Sequence, residues 1–291
     1  MILKTSEVCS LSTDPRIRAG QEAERQMAFY LGRKFGGDND VLVLNDIRLE
    51  DDAQVGACQI DHLVTHKHGV FIVESKSVSQ SVEVRPDGSG GEMWERVHNR
   101  SRTGMQSPIA QAQRQAEFVR AYLNKQRESL SAKVIAIARP LARLMGRSQF
   151  RGYQDMPVHI IVAISDAGRF VPKNGWKTPT CDFAPVVCKA DMVCEKIVAE
   201  LDRHRKGASP LQGGPKNGQY GLWHMDHAEL LRVAEYLRLM HKPRRSDTQE
   251  FARSEVPINE VTVVAQTSRT QTMPAQGAKP VTAAQPQRPG R

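Results

Sequence analysis

Apolar residues are most concentrated in two neighbouring segments in the first third of the chain. Ile60 to His66 and Val70 to Ser77 are rich in β-branched and aromatic side chains, which is typical of strands. Lys67, His68 and Gly69 lie between them and predict a tight turn, centred on either Lys67-His68 or His68-Gly69. The pattern therefore predicts a β-hairpin with two largely apolar strands.

Three ionisable residues interrupt this apolar hairpin. Alternation along the second strand places Glu74 and Lys76 on one face. A two-residue turn sets Asp61 opposite Glu74 or opposite Lys76, depending on its centre, whereas a three-residue turn moves Asp61 away from that face. Burying a charge costs roughly several kcal/mol unless a partner or a metal offsets it. These three groups are therefore candidates for chemistry.

Two converging carboxylates suit a hard divalent cation such as Mg²⁺, which keeps several waters and takes few protein ligands. Lys76 beside them could orient or activate a water, or stabilise charge that develops on a phosphorane. The alternative interpretation is a solvated strand face on which the same residues form a weak cross-strand ion pair.

A helix is predicted before the hairpin, from Gly20 to Phe35, because apolar residues recur there at helical spacing. Glu24 then lies in its first or second turn, where the helix dipole favours an acidic residue for purely structural reasons. Glu22 is a nearby competitor for any role that Glu24 has at the site. A functional and a structural interpretation of Glu24 both remain open from spacing alone.

A second helix is predicted after the hairpin, from Pro108 to about Asn124, with proline in its first turn. Gln111 and Gln115 lie one turn apart on it. We interpret Gln115 as ordinary polarity on a solvated helix face.

Four segments, by their residues and their order along the chain, resemble the NERD family (nuclease-related domain), a branch of the PD-(D/E)xK nuclease superfamily. They are QIDHLV with GVFIVESK, the upstream AGQEAER, the tryptophan of Met93-Trp94-Glu95 and the downstream SPIAQA, within a resemblance that covers about Arg16 to Arg205. The superfamily's proline before the first aspartate is absent, since Ile60 stands there.

The resemblance implies a Mg²⁺-dependent nuclease acting on DNA, with Mn²⁺ able to substitute and cleavage at the 3′ oxygen. It implies that Asp61, Glu74 and the carbonyl of Ser75 hold the metal and that Glu24 supports a water or a second ion. Gln111 would position the site and Lys76 would steer the attacking hydroxide. Two rival classes remain, namely a non-catalytic DNA-binding module on a nuclease scaffold and a docking component of a larger plasmid, conjugation or phage-defence assembly.

Composition agrees with a polyanionic partner, since 41 Lys and Arg against 32 Asp and Glu give a formal charge of +9. No apolar stretch approaches a membrane span and residues 1–13 lack a signal-peptide core, so we expect a cytoplasmic protein without a membrane partner. The five cysteines form no C-x-x-C pair, which favours reduced thiols over structural zinc. His224 and His227 are interpreted as polarity at the start of a late helix.

The remaining pattern predicts an α/β fold, a restriction-endonuclease-like mixed β-sheet flanked by helices, with a C-terminal helix and a disordered tail. Further strands are predicted at residues 41–47, 82–85, 93–97, 133–138 and 158–165, and helices at 142–154 and 193–204. Arg143, Arg147 and Arg151 form either a phosphate-contacting stripe or a solvated face. The expected domains are an N-terminal extension (1–15), the nuclease-like domain (16–205), a linker (206–222), a helix that docks on the domain or meets a protein partner (223–242) and a basic disordered tail (243–291).

Overall fold

The computed structural model describes residues 1–7, 13–51, 57–131, 141, 152–208 and 220–243. All of them belong to one compact unit, Met1–Arg244. The predicted strand at 133–138, the arginine stripe of 143, 147 and 151, and most of the predicted tail lie outside the described residues.

A six-stranded mixed sheet forms the centre of this unit, in the order β1-β2-β3-β4-β8-β10. Strands β2, β3 and β4 form an antiparallel meander, whereas β1 joins β2, β8 joins β4 and β10 joins β8 in parallel. The strands are β1 (Ile2–Lys4), β2 (Val41–Glu50), β3 (Ala57–His66), β4 (Gly69–Lys76), β8 (Val158–Ile164) and β10 (Val186–Lys189).

A smaller sheet follows β4 and has the order β7-β6-β5-β9. Its strands are β5 (Ser81–Pro86), β6 (Glu92–His98), β7 (Ser101–Met105) and β9 (Arg169–Pro172). The glycine-rich segment 88–91 joins β5 to β6, as predicted. Trp94 is buried on the inner face of this sheet, where it packs with valines of β5 and with Ile109.

Helices cover both faces of the large sheet. They are α1 (Pro15–Phe35), α2 (Pro108–Lys125), the short α3 (Arg127–Leu130), α4 (Val193–Ala208) and α5 (His227–Leu239). Helices α1 and α4 pack on one face, against residues such as Phe71 and Val73. Helices α2 and α5 pack on the other face, against residues such as Val70 and Ile72. The mixed α/β fold predicted from the sequence is therefore confirmed.

Three predicted helix boundaries were wrong. Helix α1 begins at Pro15 rather than Gly20, because Asp14 caps it by accepting a hydrogen bond from the Arg16 N–H at 2.7 Å. Helix α4 continues to Ala208, inside the segment expected as linker. Helix α5 begins only at His227, where Asp226 supplies the cap.

The segment expected as an N-terminal extension also supplies strand β1 to the sheet edge, which the pattern did not predict because three residues are too few to show alternation. The apolar residues of helix α5 are buried in the domain core; among them are Leu230, Val233 and Leu237. No described helix is both long and apolar enough to cross a membrane.

Candidate active site

The β3–β4 hairpin has the first of the two registers considered from the sequence. Its pairs run from His66 opposite Gly69 to His62 opposite Val73, so the turn is centred on Lys67-His68 and the register carries Asp61 to Glu74. Gly69 has φ of +137°, and a Cβ at this position would lie 2.2 Å from the Pro157 carbonyl oxygen. Only glycine fits this turn, which sets the register of every residue beyond it.

Strand β3 leaves the β4 ladder at Asp61. The last β3–β4 pair is His62 with Val73, and beyond it Asp61 Oδ2 accepts a hydrogen bond from the Ser75 N–H at 2.8 Å. The carboxylate thus takes the place of a ladder partner, and the two strands separate where the ionisable residues begin.

The neighbouring strand β2 is irregular at the same level. Asn45 pairs with His62 and Ile47 with Ile60, so the register is unchanged across this point and Asp46 faces Asp61. Asp46 has φ of +53°. A non-glycine residue in this left-handed region departs from regular strand geometry, and such residues occur often at functional sites. Apolar alternation alone could not predict this one.

Glu74 is the most buried acidic group of the site, with 1% of its surface exposed. Its Oε1 lies 2.5 Å from Lys76 Nζ, and its Oε2 accepts a hydrogen bond from Gln115 Nε2 at 3.1 Å. Lys76 Nζ also donates to Gln111 Oε1 at 3.2 Å. Both carboxylate oxygens and two of the three ammonium protons therefore have protein partners.

Asp61 is electrostatically unfavourable as an anion. Burial, followed by the charges of Glu74 and Glu24, raises its pKa well above the ordinary value. The Ser75 N–H and the Lys76 charge oppose this rise but do not cancel it. Such mutual repulsion among carboxylates is relieved by a cation.

Helix α1 brings Glu24, rather than Glu22, to this cluster. Glu24 is half-buried and acts on the Asp61 carboxylate, whereas Glu22 is exposed and pairs with Arg25 at 2.8 Å. Because α1 starts at Pro15, Glu24 is its tenth residue and lies in the third turn. The dipole explanation considered from the sequence therefore fails, since this effect fades beyond the first turn.

Gln115 contradicts the sequence interpretation. It is 5% exposed, not solvated, and its Nε2 donates both to Glu74 and to the Gln59 carbonyl oxygen at 2.7 Å. Its Oε1 is buried and has no hydrogen-bond partner among the described residues. The sequence signal was present, since Gln115 follows Gln111 by one turn and therefore shares its face.

His62 and Asn45 are two further residues of the site that sequence reasoning missed. His62 Nδ1 lies 2.8 Å from Asn45 Oδ1, so Nδ1 carries the proton, and Nε2 accepts from the Ser75 hydroxyl at 3.1 Å. Burial lowers the pKa of His62 to about 3, so the ring is neutral. The pair fixes the side chain of Ser75, whose N–H holds Asp61. The sequence did contain a signal for this role, because His62 is a polar residue next to Asp61 in an otherwise apolar strand.

The donor set fits a hard divalent cation on two counts. The charges of Glu74 and Glu24 both act unfavourably on Asp61, and the Lys76 ammonium offsets them only in part. The unpartnered Gln115 Oε1 is a buried acceptor that a water beside Glu74 would satisfy. Among the described residues, no group of three or more His, Cys, Asp or Glu side chains is arranged so that it could hold a metal ion by itself.

The family model of the nuclease-related domain, NERD, matches residues 19–142. This match confirms, over residues 19–142, the family predicted from the sequence. The matched segment contains all five candidate side chains, Glu24, Asp61, Glu74, Lys76 and Gln111. Comparisons with curated proteins and with solved structures give no significant match.

Proposed function

We propose that the protein is a metal-dependent nuclease that hydrolyses phosphodiester bonds in DNA. The observation that carries the proposal is the convergence of Asp61, Glu74 and Lys76 at the point where β3 separates from β4. Two carboxylates and an ammonium group meet there inside a nuclease-related domain. The net positive charge of the chain supports a polyanionic substrate.

Asp61, Glu74 and the Ser75 carbonyl would hold Mg²⁺, with Mn²⁺ able to substitute, and Glu24 would support a water or a second ion. When bound, the cation supplies charge to the phosphate oxygens and lowers the pKa of water. Ser75 would contribute both of its backbone groups, since its N–H orients Asp61 while its carbonyl would bind the cation.

Lys76 orients the attacking water. Glu74 and Gln111 take two of its three N–H donors, and the third can point to the water or to a phosphate oxygen. Gln111 thereby fixes the direction of the ammonium group and does not itself touch the reacting atoms. The ammonium charge also stabilises the charge that develops on the phosphoryl oxygens.

Gln115 is a positioning residue for Glu74. Its amide holds the Glu74 carboxylate and the β3 backbone at Gln59 together, so it sets the separation between the strands that carry Glu74 and Asp61. His62 has a similar role for Ser75.

The alternative is a non-catalytic DNA-binding or docking module. The close pairing of Lys76 with Glu74 favours it, because an ion pair of this kind also stabilises a scaffold that has no chemistry. A protein partner at residues 223–242 would have to use the outer side of α5, where Leu239 is 64% exposed, because the apolar side packs in the domain core.

The two proposals differ in a cleavage assay with linear, nicked, supercoiled and single-stranded DNA in Mg²⁺, Mn²⁺ or EDTA. The nuclease cuts only with metal and loses this activity as Asp61→Asn and as Lys76→Ala. DNA binding without any cutting supports the module instead, and cutting that survives both substitutions rejects the site.

A further inference from the structure

A basic cleft lies beside the candidate active site, on the outer face of the smaller sheet. Its volume is about 570 Å³, and strands β5 and β9 form its floor. Three basic residues, Arg169, Lys173 and Lys189, line it, and all three are exposed. Glu83 is the acidic residue among those lining it, so the cleft is electropositive.

The charge of Glu83 is already engaged. Arg102 donates a hydrogen bond to its Oε2 at 2.8 Å, and Lys173 Nζ lies 3.8 Å from its Oε1. Arg102 stands outside the cleft lining, on β7, and it offsets the charge of Glu83 from across β6, which leaves the cleft cations in excess. Arg169 has no acidic partner in the described part of the chain, and Lys189 Nζ donates to the Asp166 carbonyl oxygen at 2.7 Å.

The cleft is joined to the candidate active site through strand β4. The Ser165 N–H donates to the Lys76 carbonyl oxygen at 3.0 Å, and the Arg169 N–H donates to the Gln80 carbonyl oxygen at 2.8 Å. Gly168 lies between these contacts, and a Cβ there would lie 2.7 Å from the Val78 Cβ. The turn that precedes Arg169 therefore packs directly against residues 77–80, the segment that follows Lys76.

Helix α1 joins the two places from the other side. Gln26 Nε2 donates to Asp166 Oδ2 at 2.9 Å, and the Tyr30 hydroxyl donates to the same oxygen at 2.6 Å. Glu24 is two residues from Gln26, and Ala167 of the cleft follows Asp166. The candidate active site and the turn at Asp166 therefore both involve the segment 24–26 of α1, on different sides of the helix.

We propose that this cleft binds the phosphate backbone of the nucleic-acid strand that extends from the candidate active site, through Arg169, Lys173 and Lys189. The proposal rests on the proposed function for the direction of that strand. Arg169 opens β9 and Lys173 directly follows it, so the two are four positions apart, about 13 Å in an extended chain. A duplex strand presents a phosphate about every 3.4 Å along its axis, so this separation spans about four phosphates.

The test measures binding of a labelled 30-base-pair DNA duplex and of the matching single strand in Ca²⁺ and in EDTA, over a series of NaCl concentrations. Replacing Arg169, Lys173 and Lys189 together by alanine is expected to weaken binding at least tenfold. The slope of log affinity against log salt should fall by about 2 to 3, because each lost phosphate contact removes about 0.9 in B-DNA.

A matched control removes the same charge elsewhere, with alanine at Arg203, Arg205 and Lys206 near the end of α4. Helix α4 starts four residues after Lys189, and Arg205 lies twelve residues further along it, about 18 Å away. The control should leave the salt slope within about 0.5 of the parent. Arg169→Lys should restore most of the binding that Arg169→Ala loses, and unfolding curves verify that the variants are folded.

The outcomes separate this proposal from the nuclease assignment. Three results would each overturn the proposed role of the cleft. They are an unchanged affinity and salt slope in the triple variant, an equal loss of affinity in the α4 control, and no DNA binding by the parent protein. If polyglutamate displaced the labelled DNA as well as unlabelled DNA does, the cleft would be a site for acidic proteins, and this result would overturn the proposal too. Binding that depends on the cleft in a protein that cuts nothing would reject the nuclease and retain the cleft.

Discussion

Gln115 Nε2 donates a hydrogen bond to Glu74 Oε2 at 3.1 Å and a second one to the Gln59 carbonyl oxygen at 2.7 Å. A single amide on α2 thus connects both strands of the candidate active site. The same helix face holds Gln111, which accepts from Lys76 Nζ. Helix α2 therefore holds the acidic group of β4 through Gln115 and the basic group through Gln111.

Replacing Gln115 by methionine should lower the free energy of unfolding by about 1 to 3 kcal/mol, because two buried partners lose their hydrogen bonds. Urea unfolding measures this loss. Gln113→Met on the exposed side of the same helix is the control and should change the value by less than about 0.5 kcal/mol. In a metal-binding titration, Gln115→Met should also weaken Mn²⁺ affinity, whereas Gln113→Met should not. Equal behaviour of the two variants would remove Gln115 from the site.

Asp61→Asn should stabilise the metal-free protein near pH 7. The pKa of Asp61 is raised in the folded state, so the folded protein binds this proton more tightly, and the stability linked to it is lost as the pH rises through that pKa. Asparagine removes the charge and keeps an oxygen for the Ser75 N–H. We expect a gain of about 1 to 3 kcal/mol, with Asp202→Asn on the exposed side of α4 as the neutral control.

The same substitution should abolish the stabilisation by metal. Mn²⁺ should raise the melting temperature of the parent protein and leave that of Asp61→Asn nearly unchanged, since the cation relieves the repulsion that the substitution has already removed. A destabilised Asp61→Asn variant with an intact Mn²⁺ response would contradict the electrostatic interpretation.

Acid should destabilise the protein through a group of buried histidines. Burial is the main cause that lowers their pKa in the folded state, to about 3 for His62 and His159, about 4 for His68 and about 2 for His204, and well below the ordinary value for His66. Each therefore contributes stability that is complete above about pH 6.5 and is lost as the pH falls, by about 2 kcal/mol per histidine at pH 5.

His159 allows this pH dependence to be tested at one position. Its Nε2 lies 2.8 Å from His204 Nε2, and its ring stacks on Phe71. In His159→Phe the loss of unfolding free energy between pH 7 and pH 5 should shrink by about 2 kcal/mol, whereas the exposed control His98→Gln should retain the full loss. An unchanged pH slope in His159→Phe would reject the buried neutral state of this residue.

Helix α5 should stabilise the domain rather than act as a free appendage. Leu237 is fully buried in the core and Leu239 is 64% exposed, so the pair provides an internal comparison. Leu237→Ala should cost about 2 to 5 kcal/mol of unfolding free energy, and Leu239→Ala less than about 0.5 kcal/mol. Similar small effects at both positions would mean that α5 leaves the domain in solution.

The sequence predicted the elements that apolar periodicity marks strongly. The β3–β4 hairpin is the clearest case, because its strands are long and Gly69 admits a tight turn. The side of the strand that holds Glu74 and Lys76 followed from alternation alone, and both reach glutamines of α2 on that side. The functional roles of these residues, and of Glu24 and Gln111, remain predictions.

Tertiary contacts decided what the sequence could not predict. The irregularity at Asp46 and Asp61 depends on pairing among three strands, and the short strands β1, β9 and β10 have too few residues to show a period. The burial of Gln115 depends on where α2 lies on the sheet, since a glutamine one turn from Gln111 is equally common on a solvated face. Helix α1 extends beyond its apolar period because Asp14 and Pro15 cap it.

Cleavage of supercoiled DNA by the purified protein in Mg²⁺ is the most direct test of nuclease activity. The parent protein should convert the substrate to nicked or linear forms, EDTA should stop the reaction, and Asp61→Asn and Lys76→Ala should each be inactive although folded and able to bind DNA. Glu22→Gln should cut like the parent, because Glu22 is exposed and pairs with Arg25. Metal-independent cutting, or full activity in Asp61→Asn or Lys76→Ala, would contradict the proposed site.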